Sequence, residues 1–375
     1  MKEMSEESPK RILISGGGTG GHIFPAISIA NAIRRREPRA EILFVGACGR
    51  MEMERVPAAG YKIEGLPVAG FDRRRLWRNV PVVVKLVRSL LRARRIVRDF
   101  RPDIAIGVGG YASGPILKEA QRQGVPTLIQ EQNSYPGVTN KLLAPKARAI
   151  CVAYDGMERF FPAEVITKTG NPVRKEIADC AALDSAESKR ALGFDSARPL
   201  LLVVGGSLGA RTINDSIAAG LDRLTAGGRY QVMWQTGKLY AEECARAAAG
   251  HSDVKAMPFI ADMARAYSAA DLVVARAGAG TISELQLAGK AAILVPSPNV
   301  AEDHQRKNAM ALVERAAAVM VPDSEARARL VDEALELMAD SSRRNLLAAN
   351  AARMALRESD TRIVDTIYRI IEEKK

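Results

Sequence analysis

The chain has 375 residues, of which 47% are hydrophobic and 26% are charged, a composition typical of a soluble globular protein. This length suggests two domains, each large enough to bury its own core. The four cysteines form no CxxC pair, so their spacing indicates neither a metal site nor a disulfide framework, and the cytosol is the expected compartment. The polar N-terminus lacks the apolar stretch of a signal peptide. No segment reaches the roughly 18 apolar residues that a membrane-spanning helix needs.

Short β-branched runs alternate with helical stretches along the chain, which is the pattern of parallel α/β sheets. The small polar residues and Pro172 of the segment GNPVR, 170–174, indicate a break. We therefore predict two doubly wound α/β domains, 1–169 and 170–360. A C-terminal helix, 361–375, has isoleucines on or near one face, and it could pack back on the first domain, although the sequence alone leaves its partner open. The predicted strands are 11–15, 41–45, 103–108, 127–130, 149–153, 199–204, 231–235, 272–275 and 291–295.

Four of these strands run into glycine-rich turns, GGGTGGH, GVGGYASGP, GGSLGAR and RAGAGT, and each turn precedes a helical segment. A strand, a glycine turn and a helix N-terminus form an anion site, because backbone N–H groups approach closely and the helix dipole adds positive charge. Two such halves suit a donor and an acceptor that both carry pyrophosphate. The first turn formally matches GxGxxG, but strand 41–45 ends without the acid that an NAD ribose requires. No GK[ST] follows any turn, which excludes a P-loop.

The net charge of +12 is concentrated in one segment. Residues 71–101 contain eleven Arg or Lys against two Asp, a local net charge of +9. In the predicted helix 80–100, Lys85, Arg88, Arg92 and Arg95 share one face, and Val83, Leu86, Val87, Leu90 and Val97 fill the opposite face, which we expect to pack on the sheet. Leu76 and Trp77 lie among arginines just before it, which favours an anionic membrane surface over nucleic acid, since no nucleic-acid motif accompanies the charge.

Six motifs in register carry a resemblance to a known family. GGGTGGHIFPAISIA, GVGGYASGP, EQNSYPGVTNK, GNPVR, GGSLGAR and RAGAGTISE resemble the MurG family of peptidoglycan glycosyltransferases, which have the GT-B fold of two Rossmann-like domains facing across a cleft. The resemblance covers nearly the whole chain from about residue 11. It implies inverting transfer of GlcNAc from UDP-GlcNAc to the MurNAc 4-hydroxyl of lipid I, undecaprenyl-pyrophosphoryl-MurNAc-pentapeptide. It also implies peripheral docking on the cytoplasmic face of the inner membrane.

The resemblance also implies a donor site in the second domain, by motif position. There Glu284 would accept hydrogen bonds from the ribose, and the backbone of Ile260 would read the uracil edge. Arg174 would balance the charge that grows on departing UDP, and Gln305 would bind hydroxyls of the transferred sugar. The diphosphate and ribose would be lined by Ser207, Ala279, Gly280, Thr281, Ile282 and Ser283. In the first domain, the cleft would be completed by Thr19, Gly20, Gly21 and Asn133.

The transfer needs a base near the attacking hydroxyl. His22 is the first choice, since an imidazole with a pKa near 6.5 can accept a proton at neutral pH, and Glu131 is its rival. Gln130 stands where the family often has a histidine, which leaves one candidate base fewer. No DxD pair is present, so neither a metal nor any other cofactor is implied.

Two other functions use the same features. A UDP-GlcNAc 2-epimerase shares the fold and the donor, but its soluble substrate gives no reason for an arginine-rich apolar surface. A non-catalytic peripheral membrane module would bind UDP-sugar without turnover.

Overall fold

The structure is a computed structural model, and it describes residues 8–68, 80–206 and 208–374. The chain divides into two compact units. Unit 1 runs to Pro172 and includes the chain from Glu358 onward, whereas unit 2 runs from Val173 to Arg357. The division after Pro172 lies inside the GNPVR segment.

The described part of unit 1 contains seven parallel strands and the helices between them. Its elements up to Pro172 are β1 (Arg11–Gly16), α1 (Gly20–Arg36), β2 (Glu41–Ala47), α2 (Glu52–Ala58), β3 (Lys62–Leu66), α3 (Val80–Phe100), β4 (Ile104–Gly109), α4 (Ser113–Arg122), β5 (Thr127–Glu131), α5 (Val138–Leu143), β6 (Ala149–Val152) and β7 (Ile166–Lys168).

Among its described residues, unit 2 has six parallel strands. Its elements are α6 (Lys175–Ala178), α7 (Ser185–Ala191), β8 (Leu200–Val204), α8 (Arg211–Leu224), β9 (Gln231–Gln235), α9 (Ala241–Ala248), β10 (Val254–Met257), α10 (Met263–Ala269), β11 (Leu272–Ala275), α11 (Ala279–Ala288), β12 (Ala292–Leu294), α12 (His304–Val313), β13 (Val319–Met320), α13 (Ala326–Ala339) and α14 (Ser341–Arg353). The last helix of the chain, α15 (Ser359–Glu372), belongs to unit 1.

Both sheets are doubly wound, which confirms the predicted fold class. Their strand orders are β3-β2-β1-β4-β5-β6-β7 and β10-β9-β8-β11-β12-β13. The chain order reverses between β1 and β4 in unit 1, and between β8 and β11 in unit 2. In open parallel sheets, ligands bind outside the carboxyl ends of the strands at such a switch point. The four predicted glycine turns follow these four strands, and each leads into a helix as expected.

Four strands escaped the sequence analysis, and all four lie at sheet edges: β3, β7, β10 and β13. Their residues are mostly half-buried, whereas the central strands are buried almost throughout. An edge strand is covered less completely, so it lacks the continuous apolar run that reveals a central strand in a parallel sheet.

Helix α15 packs on unit 1, a placement that the sequence alone left open. Ile363, Ile367 and Ile371 lie in the same buried cluster as Ile29 and Ile33 of α1. Two ion pairs at the rim, Arg35–Asp360 (2.5 Å) and Arg36–Asp365 (2.6 Å), join the same two helices. The C-terminus of the chain therefore completes the core of unit 1.

The expectation that the apolar face of α3 packs on the sheet was wrong for Leu86 and Val87, and the side chain of Val83 lies outside those that the structure describes. Ala93, Ile96 and Val97 are buried, but Leu86 and Val87 are exposed, the latter by 51%. Leu86 continues the buried stripe toward the helix N-terminus, yet 47% of it is exposed, so this part of the helix presents apolar and basic residues together. Residues 69–79, with Leu76 and Trp77, lie outside the described part of the chain. Among the described helices, none is long and apolar enough to span a bilayer.

Candidate active site

The switch point of unit 2 presents the N-terminus of α11. Gly278 has extended backbone angles and precedes the helix, so Ala279, Gly280 and Thr281 form its first turn. Gly280 has no atom within 4 Å of where a Cβ would stand, which leaves open space over this turn. Exposed N–H groups and the helix dipole make such a turn suited to a diphosphate. Ser207, on the neighbouring loop, lies outside the described residues.

Not every predicted site residue of α11 lies at the open space over its first turn. Ile282 is buried in the core of unit 2, and its N–H donates to the Gly278 carbonyl (2.9 Å). Its side chain and its N–H are therefore both committed within the protein. Ser283 and Glu284, which follow it, are partly exposed.

Glu284 is held by a residue that the sequence analysis missed. The hydroxyl of Tyr267, which is 1% exposed, donates to Glu284 Oε2 (2.9 Å). Burial raises the pKa of Glu284, while the Tyr267 hydrogen bond and the nearby charge of exposed Arg174 lower it less. The structure thus brings Arg174 and Glu284 together and orients one carboxylate oxygen. Tyr267 lies within an alanine-rich helical run in the sequence, where nothing distinguishes it from a core aromatic residue.

Ile260 is held differently from the expectation. Its side chain is buried, as its type suggests, but its backbone N–H donates to Gln235 Oε1 (3.0 Å). This N–H is one of the two backbone groups with which a peptide could read a uracil edge. The N–H is already committed in this structure, which leaves the Ile260 carbonyl for that role.

Gln305 lies in the first turn of α12, after a loop with left-handed backbone at Glu302 and Asp303. Its Oε1 accepts the N–H of Ser297 (2.8 Å) in the segment after β12. This contact fixes the amide orientation, so Gln305 presents Nε2 as the group able to donate to a sugar hydroxyl.

The switch point of unit 1 is built from two interlocked glycine loops. The N–H of Gly17 donates to the Gly109 carbonyl (3.3 Å), and Ser113 Oγ donates to the same carbonyl (2.9 Å). Gly110 has φ +91°, and a Cβ there would stand 2.3 Å from the Gly17 carbonyl oxygen. Glycine is required because the two backbones touch. Thr19, the residue before α1, and the helix's first residues, Gly20 and Gly21, form the exposed rim of this loop.

His22 lies in the first turn of α1 and is partly exposed. Its Nδ1 is 3.1 Å from the Gly17 carbonyl oxygen and 3.4 Å from Thr19 Oγ1. Since a carbonyl only accepts, Nδ1 carries the proton in the neutral ring, and the lone pair is on Nε2. A Cβ on Gly109 would lie 2.6 Å from His22 Cδ2, so the ring packs flush against that glycine.

Glu52 lies beneath the same loop, and the sequence analysis missed it. It is 0% exposed, its Oε2 accepts the N–H of Gly18 (2.9 Å), and its Oε1 accepts the N–H of Ala47 (2.9 Å). An NAD site would have an acid at the end of β2 to bind the ribose. In this chain an acid lies five residues after β2, but its oxygens accept backbone N–H groups of the protein, including that of Gly18 in the glycine loop. Because the Gly18 N–H is taken, any anion at this loop must contact the Thr19–Gly21 turn.

Glu131, the rival base, is buried and accepts four hydrogen bonds. Oε1 accepts the backbone N–H (3.0 Å) and the side-chain amide (3.1 Å) of Asn133, and Oε2 accepts the N–H of Gly137 (3.3 Å) and Asn140 Nδ2 (2.8 Å). Both oxygens are used to shape the loop after β5. Glu131 thus orients Asn133 rather than presenting a lone pair to solvent.

Gln130 is also fully buried, and its Nε2 donates to Asn171 Oδ1 (3.0 Å). A histidine at this position would be enclosed in the same polar network, so its replacement by glutamine removes no exposed base. Among the described residues, no group of three or more His, Cys, Asp or Glu could hold a metal ion.

Comparison with known proteins places this architecture in a family. The Glycosyltransferase family 28 N-terminal domain matches residues 12–152, and its C-terminal domain matches residues 200–367. A relative from Bacteroides thetaiotaomicron, named UDP-N-acetylglucosamine--N-acetylmuramyl-(pentapeptide) pyrophosphoryl-undecaprenol N-acetylglucosamine transferase, is 57% identical over 98% of this chain and 99% of its own. A relative of the same name from Porphyromonas gingivalis is 55% identical over 100% and 99%.

Solved structures agree. The crystal structure of Acinetobacter baumannii MurG has a TM-score of 0.78 at 28% identity, covering 96% of this chain and 100% of that one. A putative UDP-N-acetylglucosamine 2-epimerase from Listeria monocytogenes has a TM-score of 0.68 at 14% identity, covering 97% of each chain, which shows a shared fold alone. The two domain matches, the near full-length relatives and the doubly wound sheets together show that this chain belongs to glycosyltransferase family 28 and has the GT-B fold.

Proposed function

We propose that this chain transfers N-acetylglucosamine from UDP-N-acetylglucosamine to lipid I, forming lipid II for peptidoglycan. The observation that carries the proposal is the 57% identity over 98% of the chain to a relative whose name states this transfer. The chemistry at the switch point of unit 2 supports it, because a helix N-terminus, a carboxylate and an arginine suit a diphosphate, a ribose and a departing anion. The alternative function, a UDP-GlcNAc 2-epimerase, is supported only by the shared fold.

The donor is bound in unit 2. The first turn of α11 takes the diphosphate, and Glu284 accepts the ribose hydroxyls while Tyr267 holds its other oxygen. Arg174 stabilises the negative charge that grows on UDP as the bond to the sugar breaks. Ser207 and Ser283 add hydroxyls beside the diphosphate, and Gln305 Nε2 donates to the transferred sugar.

The reaction inverts the anomeric carbon. The MurNAc 4-hydroxyl oxygen attacks that carbon, the bond to the diphosphate oxygen breaks with its electron pair leaving on UDP, and a β-1,4 link forms. The proton of the attacking hydroxyl goes to Nε2 of His22, whose other nitrogen is fixed by the Gly17 carbonyl. The Thr19–Gly21 turn and Asn133 hold the reacting partners in unit 1. We propose His22 rather than Glu131 as the base, because four amide donors already use the oxygens of Glu131.

One assay tests the transfer. The protein is incubated with labelled UDP-GlcNAc and a lipid I analogue, and the products are separated. We expect a labelled disaccharide-lipid and free UDP in equal amounts. An epimerised sugar, UDP without lipid product, or binding without turnover would each overturn the proposal and point to one of the alternatives.

The acceptor is lipid-linked, and we infer that unit 1 docks on the anionic cytoplasmic face of the inner membrane through residues 71–101. The exposed residues 84–88 of α3 support this, because Lys85 and Arg88 lie beside exposed Leu86, Val87 and Leu91. A basic residue near an anionic bilayer contributes about 1 kcal/mol, and apolar side chains add burial at the interface.

Vesicle sedimentation tests the surface. Replacing Arg73, Arg74, Arg75 and Arg78 by Glu should abolish sedimentation with anionic vesicles while donor binding persists. Leu91→Ser, at a side chain exposed by 63%, should weaken sedimentation, whereas Leu346→Ser on α14, similarly exposed, should not. Unchanged sedimentation of the arginine variant, or equal effects of the two leucine changes, would contradict docking through this segment.

A further inference from the structure

The three most exposed aromatic side chains among the described residues are Phe24 (48%), Tyr111 (58%) and Phe259 (59%). They follow the carboxyl ends of β1, β4 and β10, and ligands bind at this edge of a parallel sheet. Single exposed apolar residues are common and need no explanation. An exposed aromatic ring at a ligand-binding edge is more informative, and the proposed reaction leaves Phe24 without a role.

Phe24 lies one turn into α1, and its ring covers the start of the same helix. A Cβ on Gly20 would stand 3.1 Å from Phe24 Cε2 and 3.4 Å from Cδ2, so one edge of the ring rests against Gly20. This placement follows from helix geometry, because a side chain leans toward the N-terminus and meets the residue four positions earlier. The rest of the ring is open to solvent beside the Thr19–Gly21 turn.

His22 and Phe24 lie on opposite sides of α1. Their spacing of two residues, in a helix with 3.6 residues per turn, places the side chains about 160° apart around the axis. His22 packs on Gly109, the last residue of β4, whereas Phe24 is on the side of the helix that faces solvent. A ligand whose anionic group binds the Thr19–Gly21 turn therefore has an imidazole at one end and an apolar ring at the other.

We propose that Phe24 binds the first isoprene unit of the lipid-linked acceptor, next to its pyrophosphate. The inference rests on the proposed function, which makes His22 the base and a sugar–pyrophosphate–polyprenol the acceptor. With the sugar hydroxyl at His22 and the pyrophosphate at the turn, the polyprenyl end leaves on the side of Phe24. An aromatic ring with a free apolar surface suits a hydrocarbon, because their contact removes both from water.

This contact differs from docking on a membrane. The first isoprene unit is joined to the pyrophosphate, so Phe24 recognises it in a short acceptor that is free in solution. Docking through residues 71–101 requires a bilayer. Soluble acceptors therefore measure the contribution of Phe24 separately from that of the basic segment.

Two soluble acceptor analogues test the contact. Both carry MurNAc-pentapeptide pyrophosphate, but one is esterified with a neryl group, which has two isoprene units, and the other with methyl. The readout is the ratio of their kcat/KM values, measured on the full chain with saturating UDP-GlcNAc. A general disturbance of the first glycine loop lowers both values alike and leaves the ratio unchanged.

Three variants are compared with the wild-type protein. Phe24→Gln removes the apolar ring but keeps a long side chain with a high helix propensity, so α1 should form normally. Phe24→Leu keeps an apolar side chain at the same place. The matched control is Leu183→Gln in unit 2, where the leucine is 45% exposed, close to the exposure of Phe24.

We expect the wild-type protein to prefer the neryl analogue and Phe24→Gln to lower the ratio about 3–10-fold. Full burial of a phenylalanine side chain corresponds to about 10–100-fold in affinity, and about half of this ring is free for the ligand. Phe24→Leu should lower the ratio less, and Leu183→Gln should leave it unchanged.

Equal use of the two analogues by the wild-type protein would overturn the assignment. A Phe24→Gln variant that weakens both analogues alike would also overturn it, since this is the result for a ring that supports the turn or contacts the sugar. A control that shifts the ratio as much as Phe24→Gln would have the same consequence. The proposed function fails differently, because the wild-type protein would then form no disaccharide from either analogue.

Discussion

The glycine loops after β1 and β11 flank the switch points of their own sheets, yet they use their carboxylates in opposite ways. Glu52 in unit 1 is fully enclosed, and both of its oxygens accept backbone N–H groups. Glu284 in unit 2 is partly exposed, and one oxygen is held by Tyr267 while the other is not committed to that contact. The first carboxylate is used entirely by the protein, whereas the second is the one that we propose contacts a ligand.

This difference shows what a glycine loop alone can and cannot indicate. The glycines provide close backbone approach in both units, and that is readable in the sequence. Whether a nearby acid serves a ribose depends on how many of its oxygens the protein uses. We therefore expect substitutions in the first loop to affect turnover or stability, and those in the second to affect donor affinity.

The largest effect should come from His22→Ala. Loss of a general base typically lowers kcat by about 10²–10⁴-fold, and KM for UDP-GlcNAc should change little because we propose that the donor site lies in unit 2. Steady-state kinetics with a lipid I analogue measures both. The control is His251→Ala, since that ring contacts Thr225 Oγ1 (3.2 Å) just after α8, and its kcat should match wild type. Near-normal turnover without His22 would require a different base.

Glu52→Gln tests the structural half of the comparison. The new amide nitrogen would face a backbone N–H, so one buried donor loses its acceptor, and the free energy of unfolding should fall by about 1–3 kcal/mol. Urea denaturation measures this change. Glu54→Gln, two residues later in the same helix but exposed, should unfold like wild type. A Glu52 variant that instead loses UDP affinity at full stability would mean that this acid contacts a ligand after all.

Glu284→Gln should separate binding from stability through pH. Burial raises the pKa of Glu284, because the ionised carboxylate is less well solvated in the folded protein. The protonated carboxyl therefore favours the folded state at low pH, and this contribution to the free energy of unfolding is lost as the pH rises through the raised pKa. At pH 8 the Gln variant should therefore unfold at a higher temperature than wild type, and the difference should vanish below the ordinary value of 4.5. Its UDP affinity at pH 8 should fall about tenfold or more, because a charged acceptor is lost.

Tyr267→Phe provides the companion measurement for Glu284. The Tyr267 hydrogen bond lowers the pKa of Glu284, so its removal should raise that pKa further. As the pH is lowered, the carboxylate of the variant should become protonated earlier, and the midpoint at which UDP binding is lost should lie at a higher pH than in wild type. Titration calorimetry between pH 5 and 8 measures the midpoint. An unshifted midpoint would mean that the tyrosine fills space without orienting the carboxylate.

The smallest effect is expected for Gly280→Ala in the first turn of α11. Nothing lies within 4 Å of the added methyl, and alanine restricts the unfolded chain, so the protein should gain about 0.4–1 kcal/mol. Gly289→Ala, at the other end of the same helix with φ +60°, should instead destabilise. Calorimetric melting compares the two, and a destabilised Gly280 variant would show that this turn must remain flexible.

The sequence alone was sufficient for the fold class, the central strands and the four glycine turns, since continuous apolar runs and glycine punctuation are local properties. The expectation that the apolar face of α3 packs on the sheet was wrong for Leu86 and Val87, because the periodicity of α3 identifies a face but not how far the sheet extends beneath it. The four edge strands were missed for the related reason that partial cover leaves no uniform apolar run.

Only the tertiary structure decided which residues meet. Glu52, Tyr267 and Gln235 are an acid, an aromatic residue and an amide with no motif around them, and each matters through one contact to a residue at least 17 positions away. The packing of α15 on unit 1 also depends on a long-range contact, because its isoleucines lie in one buried cluster with those of α1. Local sequence specifies the shape of each loop and helix, whereas the hydrogen bonds that orient a carboxylate or an amide depend on chain segments that folding brings together.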